Sequence, residues 1–276
     1  MTDYNIDFLI AGLVFLIFLL IHFQRYKKLN NISGRTFWFL IIAGIFDIIF
    51  DLLSSILLVK SNPAYNSWMI FFSTMLYILQ MIVVYIFYNY TQALRHCDED
   101  IRTRNIKIMA VPILCMEVAI VTNVLHKQFF YCNEQGQYVH GKAYLVTYIF
   151  TLICIAAVII NCFINQEEYQ KNELRAIKEF LGVALVCVTI QMKFQSVLMT
   201  GFGLSLGITI LFWALYNPQL YIDSLTGLYS KGYFRRWFPE QIKRKKDFYM
   251  NRKLKNIWRQ QLKRIFLKYI ISHCMI

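Results

Sequence analysis

Thr36-Phe-Trp-Phe-Leu-Ile-Ile-Ala-Gly-Ile-Phe-Asp47-Ile-Ile-Phe-Asp51-Leu-Leu-Ser-Ser-Ile-Leu-Leu-Val59 is the stretch on which the fold turns. A helix of roughly 20 apolar residues crosses a hydrocarbon core about 30 Å thick. The two charges in this run, Asp47 and Asp51, stand four apart and so on one helix face. Six further stretches approach the same length: Ile6–Phe23, Ser67–Tyr90, Lys107–Leu125, Ala143–Ile164, Phe180–Leu198 and Gly201–Tyr216. The last two adjoin, which predicts a tight helical hairpin. Composition agrees. The 276 residues are 58% hydrophobic and 16% charged, with a mean hydropathy of +0.45. Soluble domains hold about 45–50% apolar and roughly 25% charged residues. A water-soluble globule is excluded, and so, with four prolines and eleven glycines, are collagen-like and low-complexity chains. The expected fold is an all-α membrane protein, a seven-transmembrane helix bundle. The first run lacks a basic n-region and a small-residue cleavage site, so it reads as a retained span rather than a signal peptide.

Lys and Arg in short loops orient the bundle. Arg25, Lys27, Lys28, Arg35, Arg95, Arg102, Arg104, Lys107, Lys171, Arg175 and Lys178 lie in odd loops; only Lys60, Lys127 and Lys142 lie in even ones. The expected topology has the N-terminus outside and the C-terminus in the cytoplasm. The net charge of +13 comes almost wholly from the end of the chain: from Lys231 onward there are fourteen basic residues against Glu240 and Asp247.

Ionisable groups at membrane depth are costly and raise a functional question. Asp47 and Asp51, Glu117, and the trio Gln191, Lys193 and Gln195 form the candidate intramembrane polar cluster. Depth along the helices predicts an Asp51–Lys193 ion pair with Glu117 as competing partner. Such a pair fixes helix register in the bland reading, and lines a ligand-binding or proton-responsive cavity in the sharper one. The loop His126–Lys142 has an aromatic strand pattern, a polar turn at Asn133–Gly136 and a second short strand, Gln137–His140. It predicts an external β-hairpin that caps the bundle or closes over a ligand. Cys115, Cys154, Cys162 and Cys187 sit in apolar runs and read as buried packing. Cys132 reads as an unpaired external thiol, and the seven cysteines show no metal or disulfide spacing.

After the seventh run comes Asn217-Pro218-Gln-Leu-Tyr-Ile-Asp223-Ser-Leu225-Thr226-Gly227-Leu228-Tyr-Ser230-Lys231-Gly-Tyr-Phe234. This string resembles the opening of the GGDEF domain, the diguanylate cyclase family, whose usual entry is D-x-L-T-G-L-x-N-R-x-x-F. Asp223, Leu225, Thr226, Gly227, Leu228 and Phe234 match; Ser230 replaces Asn and Lys231 replaces Arg. The membrane half, with its FFY…NEQGQY…G hairpin, is similar to the multi-pass sensor in front of GGDEF domains in some anaerobic Firmicutes. The two parts together cover about residues 1–250.

The resemblance implies a bacterial plasma-membrane protein of cyclic di-GMP signalling. The family joins two GTP with Mg2+ at a Gly-Gly-Asp/Glu-Glu-Phe turn and a D-x-D-x-F-K string. This sequence holds no Gly-Gly dipeptide. Asp223–Ile276 is also far shorter than the family's domain of about 160 residues. Asn251–Lys255 stands where the family's buried first strand and metal-binding aspartate belong. The expectation is therefore a truncated or frame-shifted output domain that makes no cyclic di-GMP, with no catalytic residue, metal ligand or cofactor assigned. Three parts are expected: a sensor over 1–218, an incomplete GGDEF start over 219–250, and a basic tail over 251–276. In the tail Leu254, Ile257, Trp258, Leu262, Ile265, Phe266 and Tyr269 follow the rhythm of one helix face, with basic residues elsewhere. That pattern reads either as a helix lying on anionic lipid or as chance patterning in an unselected tail, and it carries no motif for specific nucleic acid. Partners expected besides the bilayer are a second copy, an intact GGDEF protein, and an external or membrane ligand. The alternative function is a small-molecule or ion transporter or channel using the Asp/Glu/Lys cluster, although no Gly/Pro-broken half-helices mark an internal repeat.

Overall fold

A computed structural model describes residues 6–25, 32–60, 63–133, 135–194 and 197–216. The chain's first compact unit is Met1–Leu215. The GGDEF-like string with Asp223, Leu225, Thr226, Gly227, Leu228 and Phe234, the expected tail helix, and Gln195 lie outside the described residues. In chain order the elements are α1 (Asp7–Arg25), α2 (Ile32–Lys60), α3 (Asn66–Leu94), α4 (Glu99–Val121) and the one-turn α5 (Asn123–His126). Then follow β1 (Phe130–Cys132), β2 (Tyr138–His140), α6 (Tyr144–Ile164), α7 (Lys171–Lys193) and α8 (Thr200–Tyr216).

Four helical stretches are long and apolar enough to cross a membrane: Asp7–Gln24, Ile32–Leu58, Pro63–Leu94 and Tyr144–Ile164. These four indicate a membrane protein. The other three expected spans depart from that pattern. The helices α4 and α7 begin about two turns before Lys107 and Phe180, and both open with charged residues. Glu99 and Asp100 in the first turn of α4 suit the positive end of a helix dipole. Gln170 and Glu173 form a reciprocal capping box that starts α7. The apolar helix α8 is only 17 residues long. Nor is the α7–α8 turn as tight as the sequence predicts, because α7 stops at Lys193 instead of Leu198 and α8 starts at Thr200.

Helix α2 packs along α3 and α1 along α2, and their shared seam holds Leu16, Phe37, Leu40, Ile41, Ile48, Met81 and Tyr90, all essentially inaccessible. Phe37 stands at the centre of this seam, 5.1 Å from the Phe23 ring and 5.4 Å from Tyr90. Between α7 and α8 the backbones come close at Gly203 and Gly207. A Cβ on Gly203 would lie 2.6 Å from Cys187 Sγ, and one on Gly207 would lie 2.6 Å from the Phe180 ring. Small residues four apart are the usual way for membrane helices to approach. Phe180, admitted by Gly207, stacks on Phe87 at 4.1 Å between centroids.

Apolar side chains also face outward in rows. On α4 these are Ile108, Val111, Leu114 and Val118; on α6 they are Ile149, Ile153, Ile160 and Phe163. Rows of this size are compatible with a lipid surround. Cys115 belongs to the exposed row of α4, against the expectation of burial, whereas Cys154, Cys162 and Cys187 are buried.

The β-hairpin forms where the sequence predicts it. Its strands pair antiparallel with Phe130 opposite His140 and Cys132 opposite Tyr138. Gly136 takes a φ of 78°, and the Asn133 side-chain oxygen accepts the Gln135 and Gln137 amides at 3.1 and 2.8 Å. The buried Asn123 anchors the hairpin's base, donating to Phe130 O at 2.9 Å and accepting the Phe129 amide at 2.8 Å. Gly141 closes it, because a Cβ there would meet Gln128 O at 2.0 Å.

Candidate functional site

From Phe37 to Val59 helix α2 is apolar except along one stripe: Asp47, Asp51, Ser54 and Ser55 recur at helical spacing. Helix α3 has its own stripe in Ser73, Tyr77 and Gln80. The two stripes meet where Ser54 Oγ and Ser73 Oγ share a hydrogen bond of 3.0 Å. Around them open two chambers. One, of about 130 Å3, is lined by Asp51, the serines, Tyr77, Tyr144 and the hairpin residues Tyr138 and His140. The other, of about 140 Å3, is mostly apolar, with Val83, Phe87, Ile155, Val158 and Leu204 around Asp47. Gln80, Tyr148 and Gln191 line both.

Asp47 and Asp51 are each only 6% exposed. Asp51 takes a hydrogen bond from Ser55, one turn on. Asp47 Oδ1 is buried with no hydrogen-bond partner among the described residues. Asp47 stands near the middle of α2, about 20 Å along the axis from Lys60 at 1.5 Å per residue.

Aromatic rings connect the hairpin to the bundle. Tyr77 stacks on Phe130 at 5.3 Å and Phe130 on Tyr138 at 5.8 Å; the Tyr77 and Tyr138 hydroxyls lie 3.4 Å apart. His140 continues the series to Tyr144 at 4.6 Å. Burial lowers the His140 pKa, which keeps its imidazole neutral near pH 7. The hairpin therefore roofs the polar chamber with aromatic and uncharged surface. Burial also raises the Cys132 thiol pKa, which disfavours its thiolate.

The expected Asp51–Lys193 pair is not formed. Lys193 is the last residue of α7 and is exposed, its ammonium 5.6 Å from the Phe194 ring. Extending α7 at its start rather than its end leaves that lysine at the helix terminus. Glu117 is half-buried on α4, and no residue of α4 lines either chamber. Gln191 does reach the chambers, and its side-chain oxygen accepts the Met199 and Thr200 amides at 2.9 and 2.8 Å, capping α8. Of the predicted cluster, then, Asp47, Asp51 and Gln191 come together and Glu117 and Lys193 stand apart.

A second polar cluster, which the loop charges alone do not reveal, occupies the far end of α3. Arg95 donates to both Glu168 oxygens at 2.5 and 3.2 Å and to Asn165 Oδ1 at 2.7 Å. Gln92 donates to Asn161 at 2.9 Å, and Glu168 O accepts the His96 amide at 2.8 Å. The Arg95 guanidinium holds the Glu168 carboxyl below its ordinary pKa. This cluster ties the ends of α3 and α6 together. No protein-family model, curated protein or solved structure matches the chain.

Proposed function

We propose that this chain is the membrane-embedded input module of a cyclic di-GMP signalling protein, seated in the bacterial plasma membrane. The observation that carries the reading is the string Asp223-x-Leu-Thr-Gly-Leu with Phe234, a few residues beyond the end of α8. In the family it resembles, that string joins a sensor to an enzyme. The paired chambers supply what a receiver needs, a buried polar site beneath a hairpin roof. The outward apolar rows of α4 favour adding it to the four long helices. With α7 and α8 joined through Gln191, the bundle reaches seven spans. On that arrangement the hairpin lies outside and Asp223 inside, as the lysine and arginine distribution directs.

These 276 residues lack the Gly-Gly-Asp/Glu-Glu-Phe turn, so the polypeptide by itself is proposed to bind signal without making second messenger. Reporter fusions test the arrangement. A periplasm-active reporter in the Asn133–Gly136 turn and a cytoplasm-active one after Asp223 should both give signal. Activity of both reporters on one side contradicts it. Purified protein given GTP and Mg2+ should yield no cyclic di-GMP. Ion or solute flux in proteoliposomes would favour a transporter instead.

A further inference from the structure

We infer that the two chambers form one binding site for a small amphipathic organic cation, an ammonium head carrying a body of about benzene size. This names the ligand class of the sensor reading and rests on that reading only for what binding does to the output.

Two carboxyl groups lie one helical turn apart at membrane depth, and among the described residues neither chamber is lined by Lys or Arg. A buried carboxylate is stabilised by an ion partner or a proton donor. Asp47 Oδ1 has neither among the described residues, although its side chain faces a chamber wall that is otherwise mainly Val, Ile, Leu and Phe. The polar chamber adds the tyrosines Tyr77, Tyr138, Tyr144 and Tyr148 around Asp51. Tyrosine faces attract cations, and attract them more strongly where water is excluded. Carboxylates beside aromatic faces select positive charge and reject anions. The apolar chamber, at about 140 Å3, suits a ring or short alkyl group. Among the described residues no three His, Cys, Asp or Glu side chains gather to hold a metal ion, so the two carboxyl groups lack the ligand set a bare cation needs.

The experiment uses the full chain in a non-ionic detergent. Probes are phenethylammonium, butylammonium and trimethylphenylammonium, with phenylethanol and phenylpropanoate as neutral and anionic counterparts. Saturable thermal stabilisation is expected from at least one cation, and at least tenfold weaker saturation from its counterparts. Asp47→Asn and Asp51→Asn should each weaken the cation at least tenfold. Asn keeps the shape of Asp, and far-ultraviolet circular dichroism with size-exclusion elution verifies that each variant is folded. Phe163→Leu, on the outward row of α6, should leave binding unchanged. The inference is overturned if no cation saturates, if phenylethanol matches the cations, or if both Asn variants are folded and bind like the parent. An intact diguanylate cyclase joined behind residue 222 reports on signalling separately: binding without any change in its output keeps the site and discards the sensor.

Discussion

Asn123 and Glu168 show how single polar side chains hold this bundle together. Asn123 satisfies one backbone acceptor and one donor at the hairpin base, both buried. Asn123→Ala leaves both groups unpaired and should cost about 2–4 kcal/mol. The midpoint of thermal unfolding in detergent checks this, and faster amide exchange at Phe129 would locate the loss. Glu168 contributes through Arg95. Its carboxyl pKa is lowered in the folded state, so its contribution is full above the unfolded value near 4.3 and disappears as pH falls through the folded one. Glu168 is partly exposed, at 38%, and solvent screening limits the contribution to about 1 kcal/mol. Glu168→Gln should therefore melt below the parent at pH 7, with the gap narrowing as pH falls below the ordinary carboxylate range; a gap independent of pH refutes the assignment. Asp47 and Asp51 were legible in the sequence because a charge in a long apolar run stands out. Tyr77, Tyr144 and Tyr148 were not, since tyrosine in a membrane helix has many uses, and only the recurrence of polar residues at helical spacing hints at a shared face.

Among the elements, α2, α3 and the hairpin follow the sequence closely. Apolar length fixes the two helices, and Asn133 with Gly136 fixes the turn. Helix α7 does not. Its capping box outweighs the apolar boundary and sets the start at Lys171, and the helix ends at Lys193, whose side chain is exposed. A hydropathy reading sees where a segment is apolar and not where its first turn is satisfied. Likewise the Gly203–Gly207 pair is visible in the sequence, but its partner helix is known only from the fold. Gly203→Val would press a branched side chain into Cys187, where even a Cβ comes within 2.6 Å. The expected cost is about 1–3 kcal/mol, read as a lower melting midpoint. Gly182→Ala is the control, with open space around it, and should be neutral or slightly stabilising.

For the whole molecule, the structure places a polar chamber beneath a hairpin and a mostly apolar one beside it, in a chain whose described helices carry apolar rows on their outer faces. Of the seven expected spans, four have membrane length and apolar character among the described residues. The coarse class, a mostly helical protein with membrane-length helices, was legible because a helix that crosses lipid must be long and apolar. The chambers were not, because they arise from five helices and a strand that no local pattern brings together. The claim that this assembly receives a signal is tested most directly by joining residues 1–222 to an intact diguanylate cyclase and measuring cyclic di-GMP in cells. The account predicts that Asp47→Asn and Asp51→Asn shift its output at least threefold at equal membrane level, while Phe163→Leu leaves it unchanged. Equal cyclic di-GMP from the parent and both Asn variants would contradict it.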